Sequence, residues 1–335
     1  MPEPHPQAPS IAPVSAGIPR PRWSVMLPVC NRLATLEQAL RSVLAQDRGA
    51  EAMQIEVVDN STDELDVAGF VRKVAGERAG YFRQPVHLGL AENWTTCIER
   101  ARGELVHMLH DDDYLGAGFY DSMERAAAGQ PGVGVFVCRC FIVDDDGAID
   151  LLSDRIRGLE ANPPDITPLF YGNPIRCPGV VVRRSAYEAC GGFRAGLAHT
   201  ADWEMWVRAL HRCGGTFINQ PLACYRLSAA GLSLDPRKAI DNLQDFLRLA
   251  GLFEAGYPQF DRARFLREWT GMVLSRALEA EEGGQTELAR ATFRLWYRFS
   301  TFGQKLIALG KACVRRDPRF FHLATRLRGF RPEPR

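Results

Sequence analysis

The sequence predicts an α/β fold with a mainly parallel sheet flanked by helices, followed by a helical C-terminal region. Short apolar runs alternate with segments of helical periodicity, a pattern typical of βαβ units and right-handed crossovers. The composition, 335 residues of which 46% are hydrophobic and 24% charged, suits one large globular domain and a smaller one. After Pro236 the pattern becomes helical, so the sheet is expected to end before that residue.

Uninterrupted apolar runs predict the strands. The first two runs are short and mostly apolar, which is typical of parallel strands buried on both faces. We expect Pro28 to end the first strand, because proline cannot donate to a strand ladder. Two later runs flank the turn Asp144–Gly147 and predict a β-hairpin. The predicted strands are residues 23–29, 55–59, 81–83, 105–109, 133–143, 148–152 and 179–182.

Apolar residues at helical spacing predict the helices. Leu36, Leu40 and Val43 lie on one face, behind a predicted capping pair formed by Thr35 and Gln38. The other helices are expected at about residues 64–78, from Leu90 to near Gly103, along the repeat Phe265, Trp269, Val273 and Ala277, and from near Thr286 onward.

The chain divides into three predicted regions. Residues 1–22 are rich in proline and alanine and lack the apolar run of a signal peptide, so they are expected to be a disordered lead-in. Residues 23–235 form the predicted sheet domain, and residues 236–335 a helical, basic region. No segment approaches the ~20 apolar residues that a membrane-spanning helix needs.

Charge and cysteine content narrow the partners. The net charge is +1, and no recognition motif accompanies the basic residues, so nucleic acid is not an expected partner. Residues 294–335 contain 11 Lys and Arg against 2 acidic residues, with many aromatic side chains. Two interpretations stay open: this segment contacts an anionic membrane, or its aromatics pack on the sheet domain and its arginines are solvated. Nine cysteines without a CxxC pair indicate reduced thiols and a cytoplasmic protein.

An acidic cluster, Asp111–Asp113, follows the predicted strand at 105–109. Adjacent carboxylates repel one another unless a cation or a turn relieves the repulsion. Carboxylate oxygens suit Mg²⁺ or Mn²⁺, so the cluster is either a metal site or a solvated capping turn. Asp59 also ends a strand, and both positions should open into one crevice at the carboxyl ends of the strands. Asp144–Asp146, before Gly147, is expected to be only a hairpin turn.

Several segments together resemble the family 2 glycosyltransferases. In chain order they are residues 24–32 (SVMLPVCNR), 57–63 (VVDNSTD), 88–93 (LGLAEN), 103–113 (GELVHMLHDDD), 191–193 (GGF), 201–206 (ADWEMW) and 221–226 (PLACYR). Each is weak alone, but they occur in the family's order over about residues 23–235. The resemblance implies a GT-A fold, with a Rossmann-like sheet, and transfer of a sugar from a nucleotide sugar.

The resemblance also implies a role for each matching residue. Asp202 matches the catalytic base, and Asp59 the residue that accepts a hydrogen bond from the nucleotide base, commonly uracil. The residues expected to bind the nucleotide are Pro28, Asn31, Arg32, Asp59, Asp111 and Asp112. The residues expected to bind Mn²⁺ or Mg²⁺ are Asp111, Asp112 and Asp113.

The acceptor side is expected to include Gly191, Gly192, Trp203, Glu204 and Arg226. The glycine pair should provide a tight backbone bend near the acceptor mouth. For Glu204 a second interpretation is open. If a helix begins at this segment, the carboxylates of Asp202 and Glu204 point apart, and Glu204 is a capping or ion-pair residue.

Two positions depart from the family's pattern. His110 stands where the family's metal motif often has an aspartate, so which of the three aspartates bind metal stays open; Asp112, assisted by Asp111 or Asp113, is favoured. Ser228 stands where many relatives have a histidine that completes the metal shell. Another group therefore substitutes, or the diphosphate supplies more ligands, or metal dependence is relaxed.

The predicted function is that of an inverting glycosyltransferase. It would move a sugar from a nucleoside diphosphate sugar, with UDP favoured, to a hydroxyl of a saccharide or lipid-linked saccharide in cell-surface polysaccharide or glycolipid synthesis. One alternative is an inactive, nucleotide-sugar-binding pseudoenzyme. Another is a metal-dependent nucleotidyltransferase, which should have a Gly-rich, basic phosphate loop where residues 28–32 read PVCNR.

Overall fold

The structure divides the chain into two units, Met1–Ala229 and Ala230–Arg335. It is a computed structural model and describes residues 7–161, 164–227, 239–315 and 317–325.

A single sheet runs through the first unit. Its strands are β1 (Trp23–Val29), β2 (Met53–Asp59), β3 (Gly80–Arg83), β4 (Leu105–Met108), β5 (Tyr114–Leu115), β6 (Val135–Val143), β7 (Ile149–Leu152), β8 (Val180–Arg183) and β9 (Gly215–Arg226). The order is β3-β2-β1-β4-β8-β6-β9-β5, with β7 paired to β6. The predicted α/β class with a Rossmann-like sheet is confirmed, and so is the β6–β7 hairpin.

The half of the sheet that carries the predicted site is parallel. β1 pairs with β2 from Trp23↔Met53 to Val29↔Asp59, and every residue of both strands is buried. Such full burial explains the uninterrupted apolar runs of the sequence. β1 continues one residue beyond Pro28, because the Asn60 amide donates to the Val29 carbonyl at 2.8 Å and extends the ladder. β1 therefore spans the predicted residues 23–29, but Pro28 lies inside the strand and does not end it.

The other half of the sheet is mixed. β8 is antiparallel to both β4 and β6, β9 is parallel to β6, and β5 is antiparallel to β9. β5 and β9 were not predicted from the sequence. β9 has no clear apolar pattern, since Asn219 and Gln220 are exposed and its pairing with β6 shifts register on either side of Arg139. β5 is only two residues long.

Helices lie between most of these strands along the chain. Those of the first unit are α1 (Leu36–Leu44), α2 (Val67–Ala75), α3 (Leu90–Arg100), α4 (Phe119–Gly129), α5 (Arg157–Glu160), α6 (Arg184–Cys190) and α7 (Ala201–Cys213). The predicted capping pair is not formed, since Thr35 makes no side-chain cap hydrogen bond. Gln38 instead accepts a hydrogen bond from Arg226 at 2.7 Å, a tertiary contact that the local pattern could not reveal.

The segment 7–22, for which a disordered lead-in was predicted, makes specific contacts with the rest of the first unit, although most of its residues are exposed. Ile11 is 3% exposed. The Pro9 carbonyl accepts from the Gly192 amide at 2.7 Å, and the Ala12 carbonyl accepts from Arg184 at 3.0 Å. Proline-rich chain loses little entropy on ordering, so these few contacts can hold it although its apolar content is low. Residues 1–6 lie outside the described part of the chain.

The second unit is helical. Its helices are α8 (Ala239–Gly256), α9 (Arg262–Glu282), α10 (Thr286–Phe299), α11 (Phe302–Arg315) and α12 (Pro318–Thr325). The rings of Phe293, Trp296 and Phe320 pack together within this unit, with centroids 4.9 to 5.7 Å apart. Among the described residues, no helix combines the length and apolar character needed to cross a membrane.

Candidate active site

The loops after β1, β2 and β4 meet at the carboxyl edge of the parallel strands. The first carries Asn31 and Arg32, the second follows Asp59, and the third is the segment His110–Asp113. Pro28 lies inside β1, where it pairs with Val58, so its ring is part of the sheet next to this edge. The structure therefore brings together the residues predicted to bind the nucleotide, as parallel strand ends in an α/β sheet should.

Asn31 ties the first loop to the second. Its φ of 55° lies in the left-handed region, which asparagine tolerates better than most residues. Its side-chain oxygen accepts from the Thr62 and Asp63 amides at 2.8 and 3.1 Å, and its side-chain nitrogen donates to the Thr62 hydroxyl at 2.7 Å. Through these hydrogen bonds Asn31 holds the first and second loops together at the edge of the site.

Asp59 is fully buried at the end of β2. One carboxylate oxygen accepts from the Ser61 amide at 2.9 Å. The other accepts from the Tyr81 hydroxyl at 2.7 Å and from Arg83 at 3.0 Å. These donors hold the carboxylate in a fixed orientation, and a carboxylate with about four acceptor positions keeps one for a further donor.

Arg32 extends its guanidinium between two of the acids. It forms an ion pair with Asp112 and lies 3.4 Å from an oxygen of Asp111. The other oxygen of Asp111 accepts from the Cys30 amide at 3.3 Å. Asp111 therefore contacts the first loop through both of its carboxylate oxygens.

Three neighbouring side chains converge instead: His110, Asp112 and Asp113. Each offers one ligand atom, and these atoms lie within 4.8 Å of one another. One oxygen of Asp113 accepts from the Arg226 amide at 2.9 Å. The His110 ring stacks on Trp94 of α3, with centroids 4.7 Å apart and an interplanar angle of 20°. Asp111, predicted as a metal ligand, is not in this group; His110, noted only as a departure from the family's pattern, is.

Two buried polar atoms of this trio lack hydrogen-bond partners among the described residues: Oδ2 of Asp113 and Nε2 of His110. Burial raises the pKa of Asp113 well above its usual range, and the charge of Asp112 raises it further. Burial also raises the pKa of Asp111 to about 7, although Arg32 opposes this shift. Uncompensated buried carboxylates are costly, and a divalent cation would offset the cost. The trio therefore fits a metal ion such as Mn²⁺ or Mg²⁺.

Asp202 lies in the first turn of α7, where the helix dipole favours a negative charge. One of its oxygens accepts from the Trp203 amide at 2.7 Å. The other accepts from the side-chain amide of Asn173 at 3.1 Å and lies 3.7 Å from the Cys177 sulfur.

The pKa values connect Asp202 to the acid cluster. Burial raises the pKa of Asp202, and the imidazoles of His199 and His110 lower it in part. Burial lowers the pKa of His110, while the charges of Asp112 and Asp202 raise it. Asp202 and His110 therefore interact electrostatically, and Asp112 acts on the same imidazole.

Glu204 is an ion-pair residue, as the second interpretation had it. It is buried and pairs with Arg194 at 2.8 Å and Arg208 at 2.7 Å. Arg208 in turn donates to the carbonyls of Cys190, Gly191 and Gly192. Glu204 thus braces the glycine bend through Arg208, and the structure gives no support to an acceptor contact by its carboxylate.

The glycine pair packs against the N-terminal segment. Gly191 has φ of 86°, and an added Cβ would lie 2.7 Å from the Pro9 carbonyl oxygen. At Gly192 a Cβ would lie 2.7 Å from the Thr95 methyl group. The predicted tight bend is present, and close backbone approach accounts for both glycines.

Trp203 and Arg226 also hold loops in place. The Trp203 indole donates to the Leu169 carbonyl at 2.5 Å. The Arg226 guanidinium donates to the carbonyls of Asp112, Asp144 and Asp145 at 2.7 to 3.0 Å. Arg226 therefore joins the acidic cluster to the β6–β7 turn. Ser228 lies outside the described residues.

Sequence reasoning missed three residues of the site. Trp94 supports His110, while Asn173 and Cys177 contact Asp202. Trp94 directly follows the matched segment 88–93, which was a usable signal. Asn173 and Cys177 lie in a proline-rich stretch without periodicity, and nothing in their spacing relates them to Asp202.

The fold and site define the class of protein. A Rossmann-like sheet with an acidic cluster at the carboxyl edge of its parallel strands is the architecture of the GT-A glycosyltransferases. The family model described as Glycosyl transferase family 2 matches residues 24–191, half of the chain. The chain belongs to this family and is a glycosyltransferase.

The chain is also similar to one protein in sequence and to several solved structures in fold. Protein MT1568 of Mycobacterium tuberculosis is 28% identical over 232 residues, which cover 65% of this chain and 70% of that protein. S. aureus TarS 1–349 in complex with UDP-GlcNAc has a TM-score of 0.58 at 14% identity, covering 84% of this chain and 82% of that one. The mannosyltransferase PcManGT from Pyrobaculum calidifontis, in complex with GDP-Man and Mn²⁺, has a TM-score of 0.55 at 17% identity, covering 96% and 87%.

A longer TarS chain is matched over part of its length. This chain covers 42% of it, with 75% of this chain aligned, a TM-score of 0.52 and 15% identity. At such identities the structural likeness establishes the fold.

Proposed function

We propose that this glycosyltransferase moves a sugar from a nucleoside diphosphate sugar to an acceptor hydroxyl, with inversion at the anomeric carbon. The observation that carries the proposal is the position of Asp202. It is a half-buried carboxylate that interacts electrostatically with His110 of the trio and is held by Asn173 and the first turn of α7. A base and a cation site that share one pocket meet the two needs of this reaction.

Asp202 would act as the general base. It accepts the proton of the attacking hydroxyl while the acceptor oxygen bonds to the anomeric carbon and the nucleoside diphosphate leaves. Such a base contributes about 10²–10⁴ in rate. Attack on the face opposite the leaving group gives a single displacement with inversion.

His110, Asp112 and Asp113 would hold Mn²⁺ or Mg²⁺. The ion would supply electrostatic stabilisation of the negative charge on the leaving diphosphate. Arg32, which pairs with Asp112, adds a permanent positive charge at the same edge of the sheet. In this proposal Asp111 lies on the nucleotide side, where it faces the Cys30 amide.

The nucleotide would lie along the ends of β1, β2 and β4. Pro28, Asn31, Arg32 and Asp59 lie at this edge, and in this proposal the Asp59 carboxylate would accept a donor from the base. Uracil has such a donor, so a UDP-sugar is favoured. The solved relatives include complexes with UDP-GlcNAc and with GDP-Man, which makes a GDP-sugar the second donor to test.

The acceptor we propose is a saccharide or lipid-linked saccharide of cell-surface polysaccharide or glycolipid synthesis, approached from an anionic membrane surface. Large apolar residues are exposed on α11: Phe302 (77%), Leu306 (51%), Ile307 (60%) and Leu309 (42%). Lys305 on the same helix lies 3.9 Å from the centre of the Tyr297 ring. An apolar helix surface with nearby cations fits the headgroup region of an anionic bilayer.

A panel of nucleotide sugars tests the proposed reaction. Thermal unfolding is measured with each donor in the presence of Mn²⁺ or Mg²⁺, and the stabilising donors are then incubated with saccharide acceptors. We expect one donor class to raise the melting temperature in a metal-dependent manner and to be transferred. Stabilisation without transfer or donor hydrolysis would favour the pseudoenzyme, and release of pyrophosphate from a nucleoside triphosphate would favour the nucleotidyltransferase.

A further inference from the structure

His110 differs in chemistry from its two partners in the trio. Asp112 and Asp113 offer carboxylate oxygens, whereas His110 offers an imidazole nitrogen within the same 4.8 Å. The family's metal motif often has an aspartate at this position. The imidazole nitrogen therefore distinguishes this chain from relatives that have a carboxylate there.

Among the described residues, His110 lacks at Nε2 the hydrogen bond that a purely structural histidine normally makes. Nε2 is buried and has no hydrogen-bond partner among the described residues. Nδ1 lies 3.9 Å from Oδ2 of Asp113, which is too far for a hydrogen bond. A buried histidine that only fills space normally satisfies its ring N–H, as His107 does with the Pro178 carbonyl at 3.1 Å.

Asp113 is the second, independent indication of a ligand. Its side chain is fully buried, and Oδ2 has no hydrogen-bond partner in the described chain, although Oδ1 is held by the Arg226 amide. A buried carboxylate oxygen that faces an imidazole without hydrogen bonding to it leaves room for a bridging cation. Trp94 stacks on the imidazole and so holds the plane in which its ring nitrogens lie.

We infer that His110 is a direct ligand of the metal ion, so that one imidazole nitrogen and two carboxylate oxygens form the protein's share of the shell. Imidazole nitrogen is a ligand for transition-metal ions, of which Mn²⁺ is one, whereas Mg²⁺ takes oxygen ligands and keeps several of its waters. His110 therefore makes the site selective for Mn²⁺ over Mg²⁺. This inference rests on the proposed metal-assisted function and specifies which ion serves it.

Pulsed electron paramagnetic resonance of bound Mn²⁺ tests the ligand directly. The full chain is loaded with Mn²⁺, with and without UDP, and the spectrum is examined for coupling to a ¹⁴N nucleus. We expect coupling in the wild type and in His211→Asn, which removes an exposed histidine of α7. We expect none in His110→Asp, which keeps an oxygen ligand and still binds Mn²⁺.

Affinities measured by calorimetry supply the second readout. His110→Ala should lower Mn²⁺ affinity at least about tenfold, and His110→Asp should lower the ratio of Mn²⁺ to Mg²⁺ affinity. Circular dichroism verifies that both variants fold. Bound Mn²⁺ without nitrogen coupling in the wild type, or an unchanged ratio in His110→Asp, overturns the inference while leaving the sugar-transfer proposal intact. Nitrogen coupling in a protein that transfers no sugar would support the inference and remove the proposed function.

Discussion

Single residues set the charge balance of this site. Asp111, Asp112 and Asp113 are consecutive, yet the turn sends them to different partners: Asp111 to the Cys30 amide, Asp112 to Arg32 and Asp113 to the Arg226 amide. The sequence predicted the cluster and its position at a strand end. It could not assign roles within the cluster, because the partners lie about 80 and 113 residues away in the chain.

The pH dependence of transfer follows from Asp202. Burial raises the pKa of its carboxyl, and the base works only when ionised. The rate therefore falls as the pH drops through this raised pKa, which lies above the ordinary value of about 3.9. We expect kcat/KM at saturating metal to show an acid limb in this range. A profile that stays flat down to about pH 4 would contradict the assignment of Asp202 as a buried base.

Secondary-structure elements differ in how far the sequence predicts them. β1 and β2 were predicted from their apolar runs. Both strands are buried on both faces, and strands of this kind consist mainly of apolar residues. β9 was missed because its exposed polar residues interrupt the pattern, and its place is set by long-range pairing with β6. The Thr35–Gln38 capping pair failed for a similar reason, since Gln38 bonds to Arg226.

The N-terminal segment offers a test of packing at this scale. Ile11 is 3% exposed and Ile18 is 42% exposed. Ile11→Ala should lower the free energy of unfolding by about 2–4 kcal/mol, through lost apolar contact and the cavity left behind. The matched variant Ile18→Ala should change it by less than about 0.5 kcal/mol. Urea denaturation measures both, and equal, negligible effects would show that residues 7–22 are unpacked in solution.

At the scale of the whole molecule, the basic C-terminal segment is the proposed membrane contact. Its aromatic side chains lie in two different environments. Phe293, Trp296 and Phe320 pack inside the helical unit, whereas Phe302 is exposed on α11. Composition alone could not separate these, because both groups look alike in sequence. Residues 326–335, which hold further arginines, lie outside the described chain.

Vesicle flotation tests the membrane proposal. The wild type should float with vesicles containing phosphatidylglycerol and not with phosphatidylcholine alone, and high salt should weaken the binding. Replacing Phe302 and Ile307 by serine should reduce recovery several-fold, because the apolar contact is lost. The control replaces Val86 and Ile149, which are 64% and 62% exposed, in the first unit. Recovery independent of lipid charge, or equal loss in the control, would count against α11 as the contact.

In the proposed reaction, Asp202 removes the acceptor's proton close to His110 of the trio. The most direct test of this step compares sugar transfer and donor affinity in Asp202→Asn, with Asp146→Asn on the exposed β6–β7 turn as the matched control. We predict that transfer falls about 10²–10⁴-fold in Asp202→Asn while the donor's Kd stays within about threefold, and that the control behaves as the wild type. Near wild-type transfer by Asp202→Asn would contradict the account.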